Sequence, residues 1–249
     1  MKICLINPNT TVAMTEKAAS AARAVVSPGT EVVASNPEMG PESIEGFYDE
    51  AFSVPGLLSE IIRQPDADAY VLACFDDTGL DAARCITERP VVGIGESGYH
   101  VASMLGSRFG VVTTLSRSVM ALEHNLAKYG LLARCSGVRA SDVPVLELES
   151  ITPNGASNPA LDKISEQIEA AITIDKAEAI VLGCAGMADL AERLSREFSV
   201  PVIDGVAAAA RVAESLAALG LSTSKVGAYA APGAKRYSGI MAPFEPKAK

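Results

Sequence analysis

Two cysteines occupy matching places in the sequence. Cys74 follows the apolar run Ala69–Ala73, and Cys184 follows the similar run Ala179–Gly183 in the second half of the chain. If both runs are parallel strands, each thiol lies at the carboxyl end of a strand, which is where ligands bind in open α/β sheets. Two thiols facing each other across a cleft suit inversion of a carbon centre. One removes a proton from one face, and the other delivers a proton to the opposite face.

The residues after each cysteine predict how such a pair is activated. Phe75–Gly79 and Ala185–Asp189 are glycine-containing segments that precede predicted helices. A helix N-terminus carries unpaired N–H groups and a partial positive charge, which lowers the pKa of a thiol and holds an anion. We therefore expect one thiolate base, one thiol acid and backbone N–H groups that stabilise an oxyanion, without a cofactor.

The other cysteines and the histidines form no second candidate site. A cysteine at the end of a buried strand is ordinarily an inert apolar residue, and it is the repetition of the pair that indicates function. Cys4, Cys85 and Cys135 have no such counterpart and are predicted to be core or surface thiols. Five cysteines without close spacing predict free thiols in a reducing compartment. His100 and His124 lie in no ligand motif, so no metal is expected.

Short apolar runs alternate with longer, alanine-rich amphipathic stretches, and this pattern predicts an α/β fold. Continuous apolar strands separated by helices are typical of parallel sheets that are covered on both faces. The predicted strands are Ile3–Ile6, Glu31–Ala34, Ala69–Ala73, Val91–Ile94, Gly110–Thr113, Ile180–Leu182, Val200–Ile203 and Val226–Tyr229. The predicted helices are Thr11–Val26, Ser118–Tyr129, Asn158–Thr173, Ala185–Glu197 and Val206–Leu219.

An internal repeat indicates two similar domains. Besides the two runs that precede the cysteines, Pro90–Ile94 resembles Pro201–Gly205, and Lys2–Asn7 resembles Phe109–Thr114. Each half therefore begins with a strand and a polar loop, and later presents a strand followed by cysteine. The predicted architecture is two pseudo-symmetric α/β domains whose parallel sheets face a central cleft. The first domain covers residues 1–107 together with about 206–249, the second covers 108–205, and the active site lies between them.

The composition argues against several classes of partner. The chain has 249 residues, 49% of them hydrophobic, which is enough for a sizeable core. Its net charge of −9 argues against nucleic acids and anionic membranes. No apolar run approaches the length that spans a bilayer, and the apolar start is too short for a signal peptide, so we expect a cytoplasmic protein. Gly93–Gly98 satisfies G-x-G-x-x-G but lacks the acidic residue of a dinucleotide site, and we interpret it as a strand-to-helix turn.

Several segments together resemble the aspartate/glutamate racemase superfamily, and within it the hydantoin and allantoin racemases. The resemblance extends over essentially the whole chain, and the cysteine-containing segments are fairly specific for this branch. It implies cofactor-free, two-base racemisation of a small molecule by Cys74 and Cys184, and a homo-oligomer. The resembling segments are Asn7–Thr11, Gly40–Gly46, Cys74–Leu80, Val111–Thr114 and Leu182–Met187.

Differences from the amino-acid racemases point to a ring-shaped substrate. Glutamate racemases are expected to carry Asn-Thr after the first cysteine and Thr-His after the second, whereas this chain has Phe75-Asp76 and Ala185-Gly186. Such residues fit a flatter, less charged ring, such as a 5-substituted hydantoin or allantoin, with Phe75 in apolar contact. The resemblance implies substrate contacts from Asn9, Thr10, Ser43, Thr113 and Thr114, together with the N–H groups of Phe75, Asp76, Ala185 and Gly186.

Alternatives stay open at the level of sequence. An arylmalonate-type decarboxylase needs one cysteine as proton donor, a maleate isomerase uses one as nucleophile, and an aspartate racemase belongs to the same superfamily. Two cysteines favour racemisation over decarboxylation but do not separate it from isomerisation. Two alternatives belong to other functional classes: a small-molecule binding protein whose thiols have no function, and a protein whose two cysteines form a redox-active dithiol. The acidic pair Asp76-Asp77 is interpreted as a helix cap or as substrate-orienting rather than as a metal site.

Overall fold

A computed structural model describes residues 1–150 and 158–246 of the chain. Strands and helices alternate within these residues, as the sequence predicts. The strands are β1 (Lys2–Ile6), β2 (Glu31–Ser35), β3 (Ala69–Leu72), β4 (Val91–Gly93), β5 (Phe109–Thr113), β6 (Cys135–Ala140), β7 (Ala179–Gly183) and β8 (Val202–Asp204). The α-helices are α1 (Val12–Val25), α2 (Phe47–Arg63), α3 (Leu80–Ile86), α4 (Ile94–Leu105), α5 (Val119–Lys128), α6 (Pro159–Thr173), α7 (Ala191–Phe198) and α8 (Gly205–Ala218).

The strands form two parallel sheets with the same strand order. The first sheet runs β2-β1-β3-β4, and the second runs β6-β5-β7-β8. β3 and β7 therefore hold the same place in their sheets, each hydrogen-bonded along the opening strand of its own half, β1 or β5. Both strands are buried along their whole length, which is the environment that continuous apolar runs require. The predicted α/β class with two similar parallel sheets is confirmed.

The differences from the predicted elements lie mainly where the sequence pattern is weak. The predicted strand Val226–Tyr229 is wrong, because Gly227–Tyr229 forms a short 3₁₀ helix on the surface. Strand β6 is not predicted from the sequence because it lacks a continuous apolar run. All of its residues are only partly buried, so its position in the sheet does not require one. The predicted helix Ala185–Glu197 begins as a 3₁₀ helix, Ala185–Leu190, before α7.

The last helix of each half packs against the sheet of the other half. Helix α4 follows β4 of the first sheet but contacts β7 and α8, while α8 follows β8 of the second sheet and contacts β3 and α1. Glu214 of α8 accepts hydrogen bonds from the Ser27 backbone N–H at 2.9 Å and from the Thr30 hydroxyl at 2.5 Å. One apolar core consequently joins both sheets, with Val71, Tyr99 and Val181 among its members. The predicted division of the chain near Arg108 stays a prediction.

Candidate active site

Cys74 and Cys184 line the same cavity. Each follows the end of a corresponding strand, β3 or β7, and each is partly buried. The cavity has an empty volume of about 420 Å³. Eight of the predicted site residues line it: Asn9, Cys74, Phe75, Asp76, Thr113, Thr114, Cys184 and Ala185.

The backbone of the first turn positions the thiol of Cys74. The Asp77 N–H donates to the Cys74 carbonyl oxygen at 3.0 Å, which closes a turn of four residues. The Asp76 N–H donates to the Cys74 sulfur, and the Thr78 hydroxyl lies 3.5 Å from it. This turn therefore holds the sulfur between an N–H group and a hydroxyl group.

The second turn repeats the geometry of the first. The Met187 N–H donates to the Cys184 carbonyl oxygen at 3.1 Å, and the Gly186 N–H donates to the Cys184 sulfur. Gly186 has little room for a side chain, because a Cβ there would lie 2.9 Å from a methyl group of Leu148. In both halves, the N–H two residues after the cysteine points at sulfur, and the N–H three residues after it points at the carbonyl oxygen.

Each cysteine turn is held by a helix of the opposite half. Lys17 of α1 forms an ion pair at 3.1 Å with Asp189, which lies in the 3₁₀ helix after Cys184. The side-chain amide of Asn125, on α5, donates to the Asp76 carbonyl oxygen at 2.7 Å. Because α1 and α5 are the first helices of their halves, the two walls of the cavity are braced in the same crosswise manner.

Burial keeps both thiols protonated when the cavity is empty. It raises the pKa of Cys74 well above the ordinary value, and the Asp76 and Glu50 carboxylates raise it further. Burial also raises the pKa of Cys184 to about 11, where the Gly186 N–H and the Lys17 ammonium act in the opposite direction. A thiol must ionise to act as a base. Cys184 is therefore the cysteine with more favourable surroundings for the thiolate.

Asp76 is the charged group that acts on both cysteines. Its negative charge raises the pKa of both thiols. Burial, together with Glu50 and Asp77, raises the pKa of its own carboxyl to about 8. At neutral pH this carboxyl is consequently mostly protonated, so it has a hydrogen to donate within the cavity.

Asn9 and Thr113 present defined polar groups to the cavity. The Asn9 Oδ1 accepts from the Asn7 side-chain amide at 2.7 Å and from the Thr11 N–H at 2.9 Å. These two donors fix the orientation of the Asn9 amide, whose NH₂ group lies 3.7 Å from the weak acceptor Met14 Sδ. The Thr113 hydroxyl donates to the Gly183 carbonyl at 3.0 Å, so its oxygen is left as an acceptor.

Three predicted site residues do not line the cavity. Thr10 donates its N–H and its hydroxyl to the Pro41 carbonyl, at 3.0 and 3.4 Å. The Ser43 hydroxyl donates to the Glu45 carboxylate at 3.3 Å, and it is the neighbouring Ile44 that lines the cavity. Gly186 contributes its N–H to Cys184 rather than to the cavity wall.

The structure adds several wall residues that sequence reasoning missed. Met14, Ile44, Ala73, Ser118, Val145 and Gly183 all line the cavity. Ala73 and Gly183 directly precede the cysteines, so the repeat could have pointed to them. The other four lie on helices and loops whose place around the cysteines depends on tertiary packing.

Neither a metal cluster nor a membrane helix occurs within residues 1–150 and 158–246. No group of three or more His, Cys, Asp or Glu side chains there is arranged to hold a metal ion. In the same part of the chain, no helix is both long enough and apolar enough to cross a bilayer.

Comparison with known proteins places the chain among racemases. A family model described as Asp/Glu/Hydantoin racemase matches residues 3–213. A hydantoin racemase of Rhizobium meliloti is 50% identical over 96% of this chain and 98% of its own length. A hydantoin racemase of Pseudomonas sp. (strain NS671) is 44% identical over 98% and 97%. The solved allantoin racemase from Klebsiella pneumoniae superposes with a TM-score of 0.92 at 46% identity, covering 99% of this chain and 100% of that one.

Proposed function

We propose that this chain, which belongs to the Asp/Glu/Hydantoin racemase family, inverts the C5 centre of 5-substituted hydantoins or of allantoin. It is an isomerase of the racemase type, as its similarity to hydantoin and allantoin racemases establishes. The observation that carries the finer proposal is that two thiols, presented by corresponding strand ends, line one cavity. Two-base inversion needs an acid and a base on opposite faces of the reacting carbon, and this cavity supplies a pair of suitable groups.

The proton transfers follow from the chemistry of the pair. One cysteine, as thiolate, takes the C5 proton and becomes a thiol. The electron pair left at C5 is delocalised onto the adjacent ring carbonyl as an enolate. The other cysteine donates its proton to the opposite face of C5 and becomes the thiolate. The reaction leaves the substrate unchanged in composition, and the two cysteines have exchanged roles.

The enolate oxygen requires hydrogen-bond donors. The N–H groups of Asp76 and Gly186 are directed at the two sulfurs, so they stabilise whichever cysteine is the thiolate. We assign the oxyanion to the N–H groups of Phe75 and Ala185, the cavity residues next to each cysteine, and to the NH₂ group of Asn9. The Thr113 oxygen is suited to accept an N–H of the ring.

Cys184 is the cysteine that we propose ionises more readily when substrate binds. The Lys17 ammonium favours its ionisation, whereas the Glu50 carboxylate opposes ionisation of Cys74. The enantiomer whose C5 proton faces Cys184 therefore meets the thiolate that forms more readily. The opposite enantiomer requires the thiolate to form at Cys74.

Optical rotation and isotope exchange test the proposed reaction. Single enantiomers of 5-methylhydantoin, 5-benzylhydantoin, allantoin, aspartate and glutamate are incubated in heavy water with a chelator, and circular dichroism is recorded. We expect the signal of a hydantoin or of allantoin to decay while deuterium enters at C5, and the relative rates identify the preferred C5 substituent. No decay for any hydantoin or for allantoin would reject the proposal, and decay with aspartate or glutamate alone would replace it with amino-acid racemisation.

The setting of the reaction is also part of the proposal. We propose that the enzyme works without a cofactor, in the cytoplasm, as a homo-oligomer. Activity that is undiminished by the chelator after extensive dialysis supports the first statement. Size-exclusion chromatography with light scattering measures the oligomeric state of the purified chain, and a monomer as the active species would contradict the last.

A further inference from the structure

We propose that Asp77 is a positioning residue for Cys74, whose carboxylate holds the first cysteine turn against helices α4 and α5. The inference rests on the proposed role of Cys74 as acid or base. Asp77 does not line the cavity, and it therefore acts through Cys74 rather than on the substrate. Its side chain is buried, with 6% of its surface exposed.

The backbone of Asp77 joins the cysteine turn to the helix that follows. Its N–H donates to the Cys74 carbonyl at 3.0 Å, and its own carbonyl accepts from the Leu80 N–H at 3.1 Å, where α3 begins. Asp77 has a φ of 51°, in the left-handed region, which aspartate adopts more readily than most residues other than glycine but still at a cost in backbone energy. Because Asp77 also closes the Cys74 turn, the position of Cys74 depends on the contacts that hold Asp77 in this conformation.

Three donors from two other elements hold the Asp77 carboxylate. The N–H groups of Gly95 and Glu96, in the first turn of α4, donate to it at 3.0 and 2.7 Å. The hydroxyl of Tyr129, at the end of α5, donates to it at 2.7 Å. Because α5 belongs to the second half of the chain, this carboxylate fixes the Cys74 turn relative to the opposite wall of the cavity.

Two glycines, Gly93 and Gly95, leave room for the Asp77 carboxylate. A Cβ at Gly93 would overlap Asp77 Oδ1, and a Cβ at Gly95 would lie 2.8 Å from Asp77 Oδ2. In the second half, the residue that corresponds to Gly93 is Asp204, at the end of β8, and it caps its own helix. The Asp204 carboxylate accepts from the N–H groups of Val206 and Ala207 at 2.8 and 3.0 Å. Both halves therefore place a carboxylate at the start of their last helix.

The helix cap of the second half comes from the residue just before the helix, whereas that of the first half comes from the cysteine turn, and this difference gives Asp77 its role. A local residue at position 93 would satisfy the N-terminus of α4 without any contact with the cysteine turn, as Asp204 does for α8. The first half instead takes its cap from the residue three positions after Cys74. The helix cap and the cysteine turn are thereby one unit, and loss of the carboxylate displaces the thiol.

The substitutions Asp77→Asn and Asp204→Asn form a matched pair. Each places an amide where a carboxylate, buried at Asp77 and partly buried at Asp204, accepts from helix N–H groups, so each weakens a helix cap, but only the Asp77 side chain belongs to a cysteine turn. We measure kcat and KM on the substrate that the wild type racemises. We also measure the ratio of Cys74 to Cys184 alkylation by iodoacetamide, resolved by peptide mass spectrometry, and thermal unfolding.

We expect Asp77→Asn to lower kcat by about tenfold or more, because misplacement of a reacting group by about 1 Å costs on the order of 100-fold in rate. KM should stay within about twofold, because the residue does not contact the substrate. The alkylation ratio should change, since only one thiol is displaced. Asp204→Asn should lower the unfolding temperature while kcat and the alkylation ratio keep their wild-type values.

Tyr129→Phe provides a milder test if Asp77→Asn does not fold. It removes one of the three donors, and we expect a smaller change of the alkylation ratio in the same direction. An unchanged ratio and unchanged kcat in a folded Asp77→Asn enzyme, or equal changes in both Asn variants, would overturn the inference. Failure of the proposed function is a separate outcome, because it shows as an inactive wild type and leaves the alkylation ratio measurable.

Discussion

The turns at Cys74 and Cys184 share their backbone geometry but differ in their electrostatic surroundings. In each, N–H groups two and three residues after the cysteine donate to its sulfur and its carbonyl oxygen. The Asp76 carboxylate opposes ionisation of both thiols, with Glu50 adding to it at Cys74 and Glu45 at Cys184, but only Cys184 has a cation, Lys17, among the main groups that act on it. The repeat thus reproduces the turn that positions each thiol. Residues outside the repeated runs set the pKa of each thiol, and hence how readily it becomes a base.

The largest predicted effect comes from removing either thiol. Cys74→Ala and Cys184→Ala should each reduce racemisation by on the order of 10²- to 10⁴-fold, the range that a positioned acid or base contributes. Each variant retains one base, which still removes a proton from one face and returns deuterium to the same face. We therefore expect each variant to exchange the C5 proton of one enantiomer with retention, and the two variants to select opposite enantiomers.

Nuclear magnetic resonance of each pure enantiomer in heavy water measures this exchange. Cys85→Ala serves as the control, because Cys85 does not line the cavity and its sulfur contacts the Ala228 carbonyl on the surface. Exchange of the same enantiomer by both cavity variants would contradict the assignment of the two thiols to opposite faces.

The repeat made the pair of cysteines predictable, since two similar apolar runs each precede a cysteine. The same signal predicted two similar parallel sheets. The surroundings of the thiols could not be predicted this way. Lys17 is one of several charged residues on an amphipathic helix, and only the packing of α1 against the other half brings it near Cys184. The resemblance alone predicts Ser43 as a substrate contact, yet it is Ile44 that lines the cavity.

A second prediction concerns the different helix caps of the two halves. Gly93→Ala should destabilise the protein by about 1–3 kcal/mol, the usual cost of overpacking, because the new methyl group overlaps the Asp77 carboxylate. Gly233→Ala is the control, since a Cβ there meets nothing within 4 Å, and its effect should stay within about 0.5 kcal/mol. Urea unfolding followed by circular dichroism measures both. Equal stability of the two variants would mean that position 93 has room for a local cap after all.

A third prediction uses the pH dependence of Asp76. Its pKa of about 8 means that the carboxyl is neutral at pH 6 and charged at pH 9. The charge raises the pKa of both thiols, so Asp76→Asn should accelerate iodoacetamide alkylation of Cys74 and Cys184 at pH 9 and leave both rates nearly unchanged at pH 6. A pKa decrease of up to one unit corresponds to an acceleration of up to about tenfold.

Glu50→Gln separates the two thiols in the same experiment. Glu50 is among the main groups that raise the pKa of Cys74, whereas the main charges that act on Cys184 are Asp76, Lys17 and Glu45. This variant should therefore accelerate alkylation of Cys74 alone. Two results would contradict this role of Asp76. In one, Asp76→Asn changes the alkylation rate of one thiol alone; in the other, it changes the rates equally at pH 6 and pH 9.

The smallest predicted effect bears most directly on the asymmetry between the turns. Lys17→Gln removes the positive charge that lowers the pKa of Cys184, so alkylation of Cys184 should slow, by less than the roughly tenfold that a full pKa unit corresponds to. The rate at Cys74 should change less, because Lys17 is not among the main groups that shift its pKa.

Asp189→Asn distinguishes the charge of Lys17 from the contact that Lys17 makes. It breaks the same 3.1 Å ion pair between the halves but leaves the ammonium in place, without the carboxylate that partly neutralises it. Alkylation of Cys184 should therefore stay the same or become faster in Asp189→Asn, whereas it becomes slower in Lys17→Gln. If both variants slow the reaction equally, the ion pair acts by closing the cavity. If only Lys17→Gln slows the reaction, the charge of Lys17 itself favours the Cys184 thiolate, and with it the enantiomer whose C5 proton faces Cys184.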